Sequence, residues 1–375
     1  MTTRSAPPSP EPEIATRASW KAELAVFLLS MLIVVIPTVQ LLARKDGNVT
    51  ALLNVGDHAA SRPFVERDFT TDPAGVVLVR GFGHDGQQFY VVTRSVTDLQ
   101  QIDGNVDRPR YRARRILFPL LASPFPAGAP TVWAMFAISL LSVGTAAVAA
   151  GRLARRLGGP VWLGLAVALT PALLIGVRAS LGDALAFSLA LWGVVLWRRH
   201  LGWAVLLFAL AALTRETTLV VPAACFLLGR RRQRLALVIP FAVYGAWSLT
   251  VSQLVHDRLS QESSSPVADA LRQFAPPFQA WRDLGLGSTT VRLAIVLTAA
   301  SLLSAWVLRR RLPEIAIWLV ADSILVIISG TGVAEDVLNY ARLTPLVGVG
   351  IALGAWEARD ESRSRSPGKV QAHAT

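Results

Sequence analysis

The sequence predicts an all-α integral membrane protein with about ten transmembrane helices and a large first extracytoplasmic loop. Composition is the first observation behind this prediction: 53% of the 375 residues are hydrophobic and only 17% are charged, whereas soluble domains average about 25% charged residues. The second is a succession of apolar segments, most of them near the ~20 residues that a bilayer crossing needs. The third is the regular placement of arginine clusters between these segments. Together they exclude an ordinary soluble domain.

The chain divides into three regions. Residues 1–22 are rich in Pro, Ser, Glu and Thr, a composition typical of a disordered cytoplasmic tail. Residues 23–356 form the predicted multi-spanning membrane domain, with its extracytoplasmic loop at 44–130, and residues 357–375 form a second cytoplasmic tail. After a first span at 23–43, the predicted spans are 131–151, 160–178, 181–197, 201–214, 217–229, 235–255, 289–308, 313–330 and 338–356.

Arginine clusters predict the orientation of these spans. Every even-numbered span ends at a cluster, namely Arg152–Arg156, Arg198–Arg199, Arg230–Arg234, Arg309–Arg311 and the basic C-terminal tail. Because cytoplasmic loops carry an excess of Lys and Arg, we expect a multi-pass protein of the plasma membrane with both termini in the cytoplasm. The net charge of +12 is thereby explained without nucleic acid, and membrane lipids are the expected surroundings.

Asp85 is the leading candidate catalytic residue. It lies between Gly83 and Gly86 in the first loop, and glycines allow a backbone to turn sharply and approach a ligand closely. The alternative interpretation is a glycine-rich turn with a solvated carboxylate. Asp57 lies nearer the first span and is a rival for the same role. The neighbouring side chains predicted to contact a ligand are His84, Gln87 and Tyr90, and we expect the Phe89–Tyr90 pair at the membrane interface.

Arginines recur on the predicted outer face, against the positive-inside bias. Arg215 and Glu216 lie in a short polar turn between two apolar segments. Either they form a mutual ion pair that closes a helical hairpin, which contributes little to stability, or the arginine binds an anionic head group. The same two interpretations apply to Arg178 with Asp183. The remaining binding candidates on this face are Arg112, Arg115, Asn339 and Arg342.

Three motifs carry a resemblance to a known group of proteins. Gly83–Tyr90 fits G-x-D-G-Q-x-[FY]-[FY], Tyr111–Leu121 fits Y-R-x-x-R-I-L-[FY]-P-L-L, and Leu213–Thr217 reads L-T-R-E-T. The sequence resembles the GT-C superfamily of multi-spanning glycosyltransferases, through uncharacterised bacterial membrane proteins allied to that group. The resemblance covers the loop and most of the bundle, to about residue 345.

The resemblance implies a function. It implies a glycosyltransferase that moves a sugar from a polyprenyl-phosphate donor to an envelope glycan, lipid or protein acceptor on the outer face. Asp85 would be the base, and Arg112, Arg115 and Arg215 would bind phosphate or shape the site. The superfamily often places its acid closer to the first span, which keeps Asp57 as a rival. No metal motif matches the spacing, so we expect no cofactor, although a divalent metal is required by some relatives.

Two other functions fit part of the pattern. A transporter or lipid flippase would also have many spans and intramembrane charge, but we find no convincing internal repeat of the kind common in transporters. A non-catalytic envelope-assembly protein is the other alternative. Asp322, within the ninth predicted span, is interpreted as a buried polar group bonded to a neighbouring helix rather than a proton relay.

Overall fold

The computed structural model describes residues 12–71, 74–255, 277–285, 287–329, 342 and 344–364. Within these residues the fold is mostly helical with almost no sheet, which confirms the predicted all-α class. The folded loop after the first long helix lies against one end of a helical bundle.

The first long helix, α1, runs from Pro12 to Ala43 and therefore begins before the predicted start of the first span at residue 23. Val26 and Val34 are fully buried, because this side packs against the next long helix. Leu28 and Leu32 are more than half exposed on another side. A continuous uncovered apolar side of this kind favours a lipid environment.

The predicted extracytoplasmic loop folds into short elements. The short strand β2 (Leu78–Val79) pairs in parallel with β1 (Val55–Gly56). The helix α3 runs from Asp85 to Arg94. The other elements are the 3-10 helices Val49–Leu52 and Leu99–Ile102 and the α-helices α2 (Arg62–Asp68), α4 (Pro109–Arg114) and α5 (Leu117–Ala122).

An apolar core fastens this loop to the bundle. Phe89 of α3 meets Phe118 of α5 edge-to-face, with ring centroids 5.7 Å apart. Met135, on the second long helix, belongs to the same buried cluster. Phe89 and Tyr90 were expected at the membrane interface, but both are buried, because α3 turns them toward this core. The start of α3 is therefore held in a fixed position.

The remaining helices form the bundle. Buried alanines on α6 let neighbouring helices approach closely, as small residues do at interfaces between apolar helices. In chain order the helices are α6 (Ala129–Arg156), α7 (Pro171–Arg178), α8 (Asp183–Leu196), α9 (Leu201–Thr214), α10 (Val220–Leu228), α11 (Arg231–Leu237), α12 (Ile239–Leu254), α13 (Gln279–Leu284), α14 (Thr289–Leu308), α15 (Pro313–Ile327) and α16 (Val347–Ser364). The 3-10 helices Val161–Val167 and Glu216–Leu219 precede α7 and α10.

Fewer helices than the predicted spans are long enough to cross a bilayer. Among the described residues, four helical stretches qualify by length and composition: Trp20–Ala43, Ala129–Arg156, Arg231–Leu254 and Thr289–Leu308. The third of these stretches consists of α11 and α12 taken together. A fifth would be the pair Val161–Val167 and Pro171–Arg178, which is bent by 59°. Asp183–Leu196, Leu201–Thr214 and Glu216–Leu228 are apolar but shorter. The last helix begins at Val347 and continues to Ser364, past the predicted span end at residue 356. The total span number stays a prediction.

Ion pairs gather three of the arginine clusters at one end of the bundle, which we call the basic end. These clusters are Arg152–Arg156, Arg198–Arg199 and Arg309–Arg311. Three of the ion pairs join different helices or their connections: Glu23 with Arg152 at 2.9 Å, Glu314 with Arg198 at 3.5 Å, and Glu357 with Arg311 at 2.9 Å. Clusters that follow alternate predicted spans thus share one end, as the predicted alternation requires. Which compartment this end faces stays a prediction.

Candidate functional site

Two glycines place Asp85 at the first residue of α3. Gly83 has a φ of +69°, and a Cβ there would lie 2.3 Å from the carbonyl oxygen of Asn54. At Gly86 a Cβ would lie 2.3 Å from the carbonyl oxygen of Ala179, at the corner between α7 and α8. Because real Cβ atoms do not come this close to backbone oxygen, only glycine fits at either position without movement of the backbone. The glycine motif therefore fixes Asp85 against the bundle.

His84 and Gln87 support the loop around Asp85. His84 caps α3, and its Nδ1 accepts a hydrogen bond from the backbone N–H of Asp85 at 3.0 Å. The Gln87 side chain donates to the carbonyl of Phe82 at 2.7 Å and accepts from the N–H of Gly56 at 3.1 Å. Both residues were predicted to bind a ligand. The polar atoms in these bonds hold the backbone in place, and a contact of either residue with a ligand stays a prediction.

Tyr90 has a similar structural position. Its hydroxyl donates to Oδ2 of Asp68 at 3.0 Å and accepts from the N–H of Gly128 at 2.8 Å, so it ties α3 to α2 and to the start of α6. Burial raises the pKa of the Tyr90 hydroxyl, and the neighbouring Asp68 carboxylate raises it further. The Tyr90 hydroxyl thus links three helices, and its contact with a ligand stays a prediction.

Asp57 closes the turn before Asp85. Its Oδ1 accepts a hydrogen bond from the backbone N–H of Gly81 at 2.7 Å, and its carbonyl oxygen accepts from Arg62 at 3.2 Å. The neighbouring His58 side chain is 74% exposed. Asp57, the rival catalytic candidate, therefore supports the backbone of the loop through its carboxylate and its carbonyl oxygen.

Arg112 is the first of two arginines that hold Asp85. It lies on α4, whose first residue is Pro109. Proline suits this position because the first backbone nitrogen of a helix has no hydrogen-bond partner within the helix. Its Nε and Nη2 donate to the two carboxylate oxygens of Asp107 at 2.8 and 2.7 Å, and its Nη1 lies 2.9 Å from Oδ1 of Asp85. Arg112 therefore bridges two carboxylates from different parts of the loop.

Arg342 connects Asp85 to the bundle. Its Nη2 donates to Oδ2 of Asp85 at 2.8 Å, and its Nε donates to Oδ2 of Asp183 at 2.7 Å. The Arg342 side chain is only 7% exposed. Asp183 begins α8, where the helix dipole favours a negative charge. Three residues distant in sequence thus meet in one buried arrangement.

The Arg215–Glu216 turn does not form the mutual ion pair that its sequence suggested. Arg215 has extended backbone (φ −158°, ψ 119°) between α9 and the following 3-10 helix. The two side chains therefore diverge: Arg215 pairs with Oδ1 of Asp183, and Glu216 accepts from Nε of Arg115 at 2.9 Å. Arg115 also contacts the Tyr111 hydroxyl and lies over its ring, 4.2 Å from the centroid.

Of the remaining predicted residues, Arg178 is not part of this arrangement. Arg178 ends α7 with an exposed side chain, and the partners of Asp183 are Arg215 and Arg342 rather than Arg178. Asn339 lies outside the described residues. We refer to the connected side chains as the arginine–carboxylate network. Its members are Asp85, Asp107, Tyr111, Arg112, Arg115, Asp183, Arg215, Glu216 and Arg342. The Tyr111 ring joins Arg115 and Glu216 to the others, because its centroid lies 5.5 Å from the guanidinium carbon of Arg112.

The network keeps Asp85 ionised. Burial raises the pKa of the Asp85 carboxyl, but the guanidinium groups of Arg112 and Arg342 outweigh that effect and hold the pKa well below its ordinary value of 3.8. Burial likewise raises the pKa of Asp107, and Arg112 reverses the shift, so its pKa is also lowered. Both oxygens of Asp85 are occupied by arginines. Because these arginines lower its pKa, the carboxylate becomes a stronger base when one of them moves away.

A small cavity of about 20 Å³ adjoins the network. Asp183, Arg215 and Arg342 form part of its wall, and Asp322 of α15 forms another part. Asp322 was interpreted from the sequence as a polar group bonded to a neighbouring helix, so its place beside the network was missed. The available signal was an acidic residue within an apolar span, which is rare without a partner or a role.

The fold and the site together define a helical protein with apolar helices of membrane-spanning length and a buried arginine–carboxylate network away from its basic end. In the part of the chain that the structure describes, no group of three or more His, Cys, Asp or Glu side chains is arranged to hold a metal ion. No protein-family model matches the chain, and no curated protein or solved structure matches it.

Proposed function

We propose that the chain is a membrane glycosyltransferase that moves a sugar from a polyprenyl-phosphate donor to an envelope glycan, lipid or protein acceptor at the outer face of the plasma membrane. One observation carries this proposal. Arg342 bridges Asp85 and Asp183 in a buried network that also contains Arg112, Arg215 and Arg115. This concentration of guanidinium groups beside apolar helices is suited to an anionic group on a lipid tail.

The phosphate of the donor would compete with carboxylates for the arginines. Guanidinium groups bind phosphate and carboxylate with the same bidentate hydrogen-bonding geometry. Arg342 makes one bond to Asp85 and one to Asp183, so an arriving phosphate can replace the Asp85 bond while Asp183 still holds the arginine. Binding of the donor would thereby release Oδ2 of Asp85.

The released carboxylate supplies the base that the reaction needs. The acceptor oxygen bonds to the anomeric carbon, and the bond between that carbon and the phosphate oxygen breaks with its electron pair leaving on the phosphate. Asp85 takes the proton of the acceptor hydroxyl. Because the leaving group is already a phosphate, it needs the positive charge of the arginines rather than a general acid. A single displacement of this kind inverts the anomeric centre.

The distribution of charge supports the outer face as the place of reaction. Asp183 begins α8 in the network, whereas Arg198 follows the other end of the same helix and pairs at the basic end. The positive-inside rule favours a cytoplasmic location for that basic end. The network would then face the opposite side, where lipid-linked donors rather than nucleotide sugars are available.

Sugar transfer in proteoliposomes tests this proposal. The protein would be supplied with polyprenyl-phosphate sugars that carry a radiolabel, together with an envelope extract as acceptor. We expect label in the acceptor fraction with the wild-type protein and with Arg178→Gln, the matched control, and none with Asp85→Asn at equal expression. Transfer retained by Asp85→Asn but lost in Asp57→Asn would assign the base to Asp57.

Two other outcomes would replace the proposal. Label that crosses the bilayer while still attached to its carrier would indicate a flippase or transporter. If cells with Asp85→Asn kept full envelope assembly and no transfer were detected in any preparation, a non-catalytic assembly role would be favoured.

A further inference from the structure

Two residues that line the cavity beside the network each carry a buried polar atom that lacks a hydrogen-bond partner among the described residues. Asp322 is 4% exposed and contacts Trp318 and the backbone of Leu346, yet its Oδ2 has no hydrogen-bond partner in the part of the chain that the structure describes. Nε of Arg215 also has none, although the same guanidinium pairs with Asp183. Asp322 and Arg215 line the same cavity. The cavity wall therefore includes one residue with an unsatisfied acceptor, Asp322, and one with an unsatisfied donor, Arg215.

Such an arrangement needs an occupant. Buried polar groups in folded proteins almost always have a partner, because an unsatisfied one loses its bonds to water without replacement. A cavity of about 20 Å³ is large enough for a group of the size of water or a hydroxyl. A hydroxyl is both donor and acceptor, so a single one satisfies both atoms whichever protonation state the carboxyl has.

Asp322 is not required to neutralise the arginines of the network. Each of those arginines already contacts a network carboxylate: Arg112 meets Asp85 and Asp107, Arg115 meets Glu216, Arg215 meets Asp183, and Arg342 meets Asp85 and Asp183. An additional carboxyl in a wall that also contains Phe187, Trp318 and Leu325 adds a desolvation cost. A purely packing role would be filled better by an apolar side chain.

We infer that Asp322 and Arg215 form a subsite for one hydroxyl group of the transferred sugar. The hydroxyl donates to Oδ2 of Asp322 and accepts from Nε of Arg215. Arg342 borders this cavity and also holds Asp85, so the subsite adjoins the place where the donor phosphate would bind. This inference rests on the proposed function and makes Asp322 a specificity-determining residue, since a sugar without the hydroxyl leaves both buried atoms unpaired.

Binding of glycosylated and bare carriers tests the subsite. The probes are undecaprenyl phosphate and its glucose, galactose and mannose conjugates, titrated against the full chain in lipid nanodiscs. We expect at least one conjugate to bind the wild-type protein on the order of tenfold tighter than the bare carrier, as one additional charge-assisted hydrogen bond allows. Asp322→Leu should lose this preference and keep its affinity for bare carrier. Ser301→Ala, a buried hydroxyl without a partner on α14, is the matched control and should keep both.

The possible results are distinct. If Asp322→Leu keeps the preference, or if the wild-type protein binds conjugates and bare carrier equally, the cavity holds water only and the inference is wrong. If the wild-type protein binds no carrier at all, the proposed function fails and the subsite fails with it. Should Asp322→Leu not fold, Asp322→Ala decides: it removes both carboxyl oxygens, so a preference unchanged from wild type would overturn the subsite.

Discussion

Arg342→Met should destabilise the fold, because Arg342 joins the loop to the bundle. In the wild-type protein, Oδ2 of Asp85 and Oδ2 of Asp183 accept hydrogen bonds from Arg342 at 2.8 and 2.7 Å. The substitution leaves both oxygen atoms without this donor. Removal of one partner from a buried ion pair costs about 3–5 kcal/mol. Each carboxylate keeps an arginine on its other oxygen, so we expect the lower part of that range, about 3 kcal/mol.

Unfolding by denaturant in detergent micelles measures this loss. Arg178→Met is the control, because Arg178 is exposed at the end of α7, and a surface substitution should change the free energy of unfolding by less than about 0.5 kcal/mol. A double-mutant cycle of Arg342→Met with Asp183→Asn should give a coupling free energy of about 1.5–3 kcal/mol. Equal effects of the two arginine substitutions, or a coupling near zero, would refute the network.

Three further predictions follow from other parts of the site. The pKa of Asp85 is lowered in the folded protein, so its ion pairs contribute fully to stability above the unfolded pKa of 3.8, and this contribution is lost as pH falls through the folded pKa. Asp85→Asn should therefore reduce the loss of unfolding free energy in acid. An unchanged dependence of the unfolding free energy on pH would contradict this. In thermal unfolding, Gly83→Ala should lower the free energy of unfolding by more than about 2 kcal/mol, and Gly81→Ala by about 1 kcal/mol. Both glycines have a positive φ, but of the two only Gly83 has backbone atoms within 4 Å of the added Cβ. Glu216→Gln and Arg115→Gln should show a coupling of at least about 1 kcal/mol in a double-mutant cycle, and independent effects would remove that pair from the network.

The sequence located Asp85 because the flanking glycines mark a constrained backbone. It could not show that His84, Gln87 and Tyr90 support the loop, since several of their partners lie 22 to 38 residues away in the chain. Adjacent positions suggested an ion pair between Arg215 and Glu216. Extended backbone between two helices separates them, and that conformation depends on tertiary contacts.

The helical class followed directly from composition, but helix lengths did not. Hydropathy gives apolar segments without showing where they bend. The segment predicted as one span at 160–178 is a 3-10 helix and an α-helix at 59° to each other, with Pro171 at the start of the second. The position of Asp322 beside the network also depends on how α15 packs, which sequence periodicity does not determine.

Recognition of phosphate by Arg342 is the central claim, and paired titrations of undecaprenyl phosphate and undecaprenol measure it most directly. The two ligands share a tail and differ in the anionic group. We predict that the wild-type protein in nanodiscs binds the phosphate at least about tenfold tighter than the alcohol, since charge-assisted bonds form only with the anion. Arg342→Met should remove this difference while Arg178→Met retains it. Equal binding of both ligands by the wild-type protein would contradict the account.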